Sequence, residues 1–330
     1  MKPMLDVRDL RVSFGSGPDE ALVVDGVSLT VAEGEVLGLV GESGCGKTMT
    51  ALSLLGLLPA TGRVLPGSSV RFLGEEIVGA GAARLRTIRG REIAMVFQEP
   101  GAALNPVLSV GAQVAEGMRH HLGLGRAEAH GRAVELLEEV GLPDPSACAR
   151  RYPHELSGGM CQRVTIAMAL GCSPRLLVAD EPATALDPTV QAQIMELLAG
   201  LRESRGLAMI LIAHDLGLVA GISDRVAVMY AGQIVEVGPC RDVFGQAAHP
   251  YTSGLLGSLP RPGDPSAPLV PIPGRVPDPT DRRSGCRFAE RCPEAWERCQ
   301  APPPLIEPAG SVGRAARCWL VEGSSEVVGR

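Results

Sequence analysis

The sequence predicts an α/β fold with a sheet that is parallel at its centre, and three observations carry that prediction. Strand-like apolar runs alternate with helix-like stretches from about Glu35 to Val237, the arrangement of crossover-connected parallel strands. One buried run, Glu35–Val40, leads straight into a glycine-rich loop and a helix. Another, Leu176–Ala179, ends in two adjacent carboxylates, Asp180 and Glu181.

Each element has its own signal. Leu5–Phe14 alternates apolar and polar residues in the manner of a strand (Leu5, Val7, Leu10, Val12 and Phe14), and Ala21–Val31 repeats the style; period-two alternation is the mark of a half-buried strand. Lys47–Leu58 reads as a helix, Val70–Phe72 and Ile93–Phe97 as strands. From Pro100 to about Leu156 the texture is helical, with Ala133, Leu136, Leu137 and Val140 of Arg126–Val140 at helical spacing. Gly159–Leu170 and Val190–Leu201 are further helices, and Ala208–Ala213 a further strand. Val226–Tyr230 and Gln233–Val237 form a hairpin around Ala231-Gly232. The composition changes at about Leu259. Pro260–Pro279 is proline-rich, which favours an extended segment without a core of its own.

Composition narrows the function. The 330 residues are 45% hydrophobic and 21% charged, with a net charge of -6 and no basic stretch, so no nucleic-acid surface is advertised. No apolar run reaches the length that spans a bilayer, and Met1–Asp6 lacks a signal-peptide layout; the expected compartment is the cytoplasm unless a partner holds the chain at a membrane. Lys2 and Lys47 are the only two lysines among 31 basic residues. One of them therefore sits in a glycine-rich loop, where a compact ammonium on a flexible stem differs chemically from a guanidinium.

Gly41-Glu42-Ser43-Gly44-Cys45-Gly46-Lys47-Thr48 fits the spacing G-x-x-x-x-G-K-[ST]. In such a loop the glycines let backbone N–H groups converge on phosphate oxygens, and the positive end of the following helix faces the same anions. Lys47 is expected to reach the β- and γ-phosphates of ATP and Thr48 to ligate Mg²⁺. Asp180, at the end of an apolar strand, is expected to hold Mg²⁺, and Glu181 to orient and deprotonate an attacking water. Between them lies Leu156-Ser157-Gly158-Gly159-Met160, a short turn that opens a helix and is a second anion site.

With these parts in place the chain resembles the ATP-binding cassette (ABC) ATPases from about Leu5 to Val237. The resemblance implies a P-loop NTPase cassette: a RecA-like core with an antiparallel β subdomain over 1–98 and 165–245, and an inserted helical subdomain over 99–164. It implies roles as well. Phe14 stacks on adenine, Gln98 senses Mg²⁺ and the attacking water, and Ser157, Gly158 and Gly159 form the signature. Asp187 belongs to the Ala185-Leu186-Asp187 D-loop, and His214 contacts the γ-phosphate. Glu181, His214 and Gln98 are thus the catalytic set. Gly41, Ser43, Gly44, Cys45, Gly46, Lys47, Thr48, Asp180 and Asp187 complete the nucleotide-binding set, with Thr48, Gln98 and Asp180 on Mg²⁺. Cys161 departs from the family, which usually has a polar or basic residue there. Two cassettes pair head to tail, each ATP lying between one chain's phosphate loop and the other's signature.

Gln98-Glu99-Pro100, Leu104-Asn105-Pro106-Val107, His249-Pro250-Tyr251-Thr252 and Pro271-Ile272-Pro273-Gly274 resemble the dipeptide/oligopeptide branch of ABC importers. That branch implies two transmembrane permease subunits, a second and different ATPase subunit, an extracytoplasmic substrate-binding protein acting indirectly, and a place on the cytoplasmic face of the membrane. A nickel or other small-solute importer and a soluble non-transport ABC ATPase are the alternatives. The extension 246–330 ends in Cys286, Cys292, Cys299 and Cys318, spaced C-x5-C-x6-C-x18-C. In a cytosolic chain such a group points to metal rather than disulfides. The C-x2-C knuckles typical of zinc ribbons are absent. Some members of the branch carry a [4Fe-4S] cluster there; zinc, and unmetallated or disulfide-linked cysteines, are the other readings.

Overall fold

The computed structural model describes residues 2–259, 271–281, 284–308 and 311–323. They fall into two compact units: one of Met4–Thr30, Leu37–Val78 and Ala213–Arg330, the other of Met1–Pro3, Val31–Val36 and Gly79–Ile212. The first carries the phosphate loop and the second the signature turn; they are called the loop unit and the signature unit.

The loop unit contains an antiparallel sheet in the order Ala21–Val31, Leu5–Phe14, Ser69–Phe72, Glu75–Glu76, with Gly62–Val64 also paired to Leu5–Phe14. Leu5, Val7, Leu10 and Val12 are buried; the buried phase changes between Val7 and Leu10, where Asp9 takes a left-handed φ of 48°. A second set of strands supports the loop. Val36–Val40, wholly buried, runs parallel to Arg225–Tyr230 with Leu39 opposite Ala227. Arg225–Tyr230 turns at Ala231-Gly232 into Gln233–Pro239, antiparallel as the sequence predicts, with a bulge between Val228 and Met229. Gln233–Pro239 in turn pairs with Ala315–Ala316 from the C-terminal segment.

The C-terminal segment also packs against these strands. Tyr230, Tyr251 and Phe288 form a buried aromatic cluster, with ring centroids 4.6 to 5.3 Å apart. Offset and edge-on aromatic packing of this kind adds to plain area burial. The buried Glu236 carboxylate accepts from Arg314 at 2.8 Å and from the backbone N–H groups of Ala248 and His249 at 2.9 and 3.0 Å. A buried charge is tolerable when its lone pairs are filled in this way. The proline-rich stretch Pro260–Pro279 lies outside the described residues over 260–270, and 271–279 has no regular structure.

In the signature unit Ile93–Val96, Leu176–Asp180 and Ala208–Ala213 run parallel in that order, with Val96 opposite Ala179 and Asp180 opposite Ile212. Leu176–Asp180 and Ala208–Ala213 are buried along their whole length, as strands covered on both faces must be. The helical texture after Pro100 resolves into Val110–Leu122, Arg126–Glu139 and Gly158–Leu170, which pack together. Val110, Val114 and Met118 of the first and Ala133, Leu136 and Leu137 of the second are buried, and the two helices pack against each other.

Two helices differ in length from the sequence reading. The helix expected over Lys47–Leu58 ends at Leu54. Gly56 takes a left-handed φ of 61° and the Leu57 N–H returns to the Leu52 carbonyl at 2.8 Å, a glycine-dependent stop. The helix expected over Val190–Leu201 runs from Pro188 to Arg205. The Asp187 side chain caps its first turn, accepting from the Val190 N–H at 3.0 Å, and Gly206 ends it with φ 60°. No helix among the described residues is long and apolar enough to cross a membrane.

Candidate functional site

In the loop unit the phosphate loop joins the buried strand Val36–Val40 to the helix Lys47–Leu54. Gly46 precedes that helix with φ 107°, and no side chain caps its first turn, so the first N–H groups of the helix are left to a ligand. Two glycines are obligatory here. A Cβ on Gly41 would stand 2.1 Å from the Met229 carbonyl oxygen, and one on Gly46 would stand 2.7 Å from that of Val23. Lys47 is buried, and its Nζ donates to the carbonyls of Gly41 at 2.8 Å and Glu42 at 3.1 Å. The ammonium thus rests inside the loop it is meant to serve. The Cys45 thiol is buried below it, and burial raises its pKa, so it packs as a small apolar group rather than as a nucleophile. Tyr251 accepts the Glu42 N–H on its hydroxyl at 2.9 Å, and the Cys45 carbonyl accepts the Gly232 N–H at 2.9 Å.

In the signature unit Asp180 is buried at the end of its strand. Glu181 follows with φ 47°. A left-handed backbone at a non-glycine residue costs of order 1–3 kcal/mol and persists where the surroundings impose it. Here the Glu181 N–H donates to the Ile212 carbonyl at 3.0 Å. Its carboxylate accepts from Gln98 Nε2 at 3.1 Å and from Thr184 Oγ1 at 2.9 Å, both on Oε2. Gln98 and Glu181, 83 residues apart, are therefore in direct contact.

The signature turn belongs to the same unit. Ser157 and Gly158 are exposed. The Ser157 hydroxyl accepts from the Met160 N–H at 3.4 Å and caps the helix Gly158–Leu170. A Cβ on Gly159 would lie 2.7 Å from Val190 Cγ1, so glycine lets this helix approach the one capped by Asp187. Cys161 is buried, with its thiol toward the Pro153 carbonyl at 3.6 Å. The departure at that position is thus a packing choice and leaves the exposed turn untouched. In the loop unit, His214 is exposed just after the strand Ala208–Ala213, and Phe14 is half-buried at the end of Leu5–Phe14 with its ring against Gly62.

The four tail cysteines come together. Cys286, Cys292, Cys299 and Cys318 carry free thiols and line one narrow, mostly apolar cleft with His249 and Phe288. The Cys286 N–H donates to the Cys299 carbonyl at 2.8 Å, and a Cβ on Gly285 would stand 2.5 Å from that same oxygen; the glycine permits the two strands of chain to meet. Burial first, then the neighbouring thiols, pushes Cys292 up to about 11 and raises Cys286 as well. Four thiols around one cleft are a donor set of the soft kind that binds zinc or iron–sulfur groups. Among the described residues no three His, Cys, Asp or Glu side chains close on a single ion.

Residues 24–184 match the family described as ABC transporter, and residues 235–299 match the oligopeptide/dipeptide transporter C-terminal region. A Brucella abortus (strain 2308) protein assigned as a peptide import ATP-binding protein is 51% identical over 96% of this chain and 94% of its own length. The oligopeptide transport ATP-binding protein OppD of Salmonella typhimurium is 48% identical over 96% of this chain and 93% of its own length. The chain belongs to the ABC transporter ATP-binding family. Among solved structures, a dimeric post-hydrolysis state of the ATP-binding cassette MJ0796 bound to ADP and Pi superposes with a TM-score of 0.65 at 26% identity, covering 72% of this chain and 99% of that one. The C-terminal region match ends at Cys299, so it contains Cys286, Cys292 and Cys299 but not Cys318. As a member of this family the chain is an ATPase subunit of a transporter.

Three functional-looking residues lack a signal in the sequence. Thr184 is an ordinary threonine three residues after an acid, yet it shares the Glu181 oxygen with Gln98. Tyr251 stands in a run that marks the importer branch, but its hydrogen bond to the phosphate loop spans 209 residues. Arg291 sits between two cysteines and reaches Glu42 in that loop.

Proposed function

We propose that this chain hydrolyses ATP to drive the import of dipeptides or oligopeptides through a membrane complex. The observation that carries the catalytic part is the Gln98–Glu181–Thr184 contact at the end of the Leu176–Asp180 strand. Glu181 is the general base. Two neutral donors, Gln98 and Thr184, hold its Oε2 and so orient the carboxylate toward a water that Gln98 helps to place. Lys47 leaves the Gly41 and Glu42 carbonyls for the β- and γ-phosphates when nucleotide enters, and the N–H groups of Ser43, Gly44, Cys45, Gly46 and Thr48 take the phosphate oxygens. Thr48, Asp180 and Gln98 would hold Mg²⁺, which screens phosphate charge when bound. His214 contacts the γ-phosphate and Phe14 stacks on the base.

The site is shared between chains. Ser157, Gly158 and Gly159 of one cassette, with Asp187 beside them, close over the nucleotide on the loop of another. The other cassette is a second, different subunit, and both rest on two transmembrane permeases at the cytoplasmic face, fed by an extracytoplasmic binding protein. Residues 1–98 and 165–245 are the ATP-binding core, 99–164 the helical subdomain that carries the signature, and 246–330 the extension. The likeness over nearly the full length to relatives named for peptide import supports the substrate class. Pull-down of the membrane partners tests it: two different permeases plus a second, similar ATPase support the reading, and an export-type partner refutes it.

The four thiols hold a [4Fe-4S] cluster in this reading, with zinc as the second candidate. The free, convergent cysteines support a sulfur-ligated group. Its part is to fix the segment between Cys286 and Cys318. Anaerobic purification should give a brown, iron-containing protein; a colourless, iron-free, zinc-loaded protein would exclude the cluster.

A further inference from the structure

We propose that Arg291 is a positioning residue of the phosphate loop: by clamping Glu42 it ties nucleotide binding to the fold of the four-cysteine segment. This rests on the reading of Gly41–Thr48 as the nucleotide loop.

Glu42 is held at every polar group it has. Its N–H donates to the Tyr251 hydroxyl at 2.9 Å, and its carbonyl accepts from Lys47 Nζ at 3.1 Å. Its carboxylate accepts two parallel bonds from Arg291, Nη1 to Oε2 at 2.7 Å and Nη2 to Oε1 at 2.9 Å. A planar guanidinium facing a carboxylate in this fork fixes direction as well as distance, which a point charge does not. Because the carbonyl of the same residue receives the Lys47 ammonium, a shift of Glu42 displaces both the loop backbone and the lysine.

Arg291 is itself anchored. Its side chain is 6% exposed and its Nε donates to the Pro273 carbonyl at 2.7 Å. The guanidinium lies near the rings of Tyr230 and Phe288, 5.6 and 5.9 Å from their centroids. A guanidinium remains charged at any ordinary pH, so a buried one requires an anion, and Glu42 is the carboxylate it meets.

The cysteines set where Arg291 stands. It ends the short helical turn Ala289–Arg291, which begins three residues after Cys286 and is followed at once by Cys292. The Ala289 N–H donates to the Cys286 carbonyl at 3.1 Å and the Cys292 N–H to the Ala289 carbonyl at 3.3 Å. Phe288, in the same turn, lines the cleft of the four thiols. A change at Cys286 or Cys292 is therefore passed to Arg291 through one turn of backbone, and from Arg291 to the loop through two hydrogen bonds.

The test is equilibrium binding of a fluorescent ADP with Mg²⁺ to the purified full chain, with thermal melting of each variant alongside. Glu42→Gln keeps the size of the side chain and removes its charge. It should weaken ADP binding roughly tenfold, the size expected when one charge-assisted hydrogen bond is lost, and lower the melting temperature, because the buried Arg291 loses its anion; binding is therefore read well below the melt of each variant. Arg291→Lys should fall between wild type and Glu42→Gln. Replacing Cys286 and Cys299 by serine should weaken binding in the wild-type background and leave the Glu42→Gln protein unchanged. An affinity of Glu42→Gln within about twofold of wild type overturns the proposal, as does a full cysteine effect in the Glu42→Gln background. Wild-type protein that fails to bind ADP refutes the nucleotide reading instead.

Discussion

The phosphate loop and the signature turn are both short glycine-rich turns that open a helix, and the chain treats them in opposite ways. The loop is enclosed by its own chain. Lys47 and Cys45 are buried, the carbonyls of Met229 and Val23 press on Gly41 and Gly46, and Tyr251, Arg291 and Gly232 bond to Glu42 and Cys45. The signature turn is open. Ser157 and Gly158 face solvent, and the Ser157 hydroxyl serves only the first turn of its own helix among the described bonds. An enclosed turn presents a finished surface to a ligand. An exposed one with aligned N–H groups is a surface that another molecule completes. Under the proposed function, the difference predicts that a single copy of this chain binds nucleotide and turns it over only in an assembly.

The comparison can be broken from either side. The largest effect is expected at Lys47. Arginine there cannot fold into a pocket shaped for a compact ammonium bonded to two loop carbonyls, so Lys47→Arg should lower ATP turnover at least about 1,000-fold and weaken binding in the isolated chain, read by steady-state phosphate release and nucleotide titration. Ser157→Ala should do the reverse. It removes a helix cap worth about 1 kcal/mol and lowers turnover in the assembled transporter, but leaves ADP affinity of the isolated chain unchanged. Weakened ADP binding in that variant would mean that the turn is not independent of the loop. Thr184→Val should have the smallest effect. It removes the Thr184 hydroxyl from Glu181 Oε2, a net contribution of about 1 kcal/mol, so turnover should fall several-fold with binding intact.

Much of this was legible because it is local in sequence. Gly41–Thr48 is eight contiguous residues whose spacing alone demands a phosphate-sized loop, and Leu176–Glu181 announces a buried strand ending in acids. The hairpin around Ala231-Gly232 was equally plain, since alternation and a two-residue turn determine each other. What could not be read is what joins distant parts. Arg291 meets Glu42 across 249 residues, and its sequence neighbourhood marks it only as an arginine among cysteines. Thr184 acquires its partner because Glu181 and Ala185 adopt left-handed backbone angles, 47° and 64°, which nothing in their identities requires. Asp187 was legible as a loop residue, but its second task, capping the helix Pro188–Arg205, showed only once the helix start was placed. The core around Phe288 could not be read either, because it is completed by Tyr230 and Tyr251, which are distant in sequence.

The central claim is that this chain's own loop binds ATP while its own acid strand hydrolyses it, and Glu181→Gln tests both parts at once. In the assembled complex, with ATP binding and phosphate release measured on the same preparation, binding should remain within about threefold of wild type while turnover falls at least 100-fold. Turnover at the wild-type rate, or loss of ATP binding, would contradict the account.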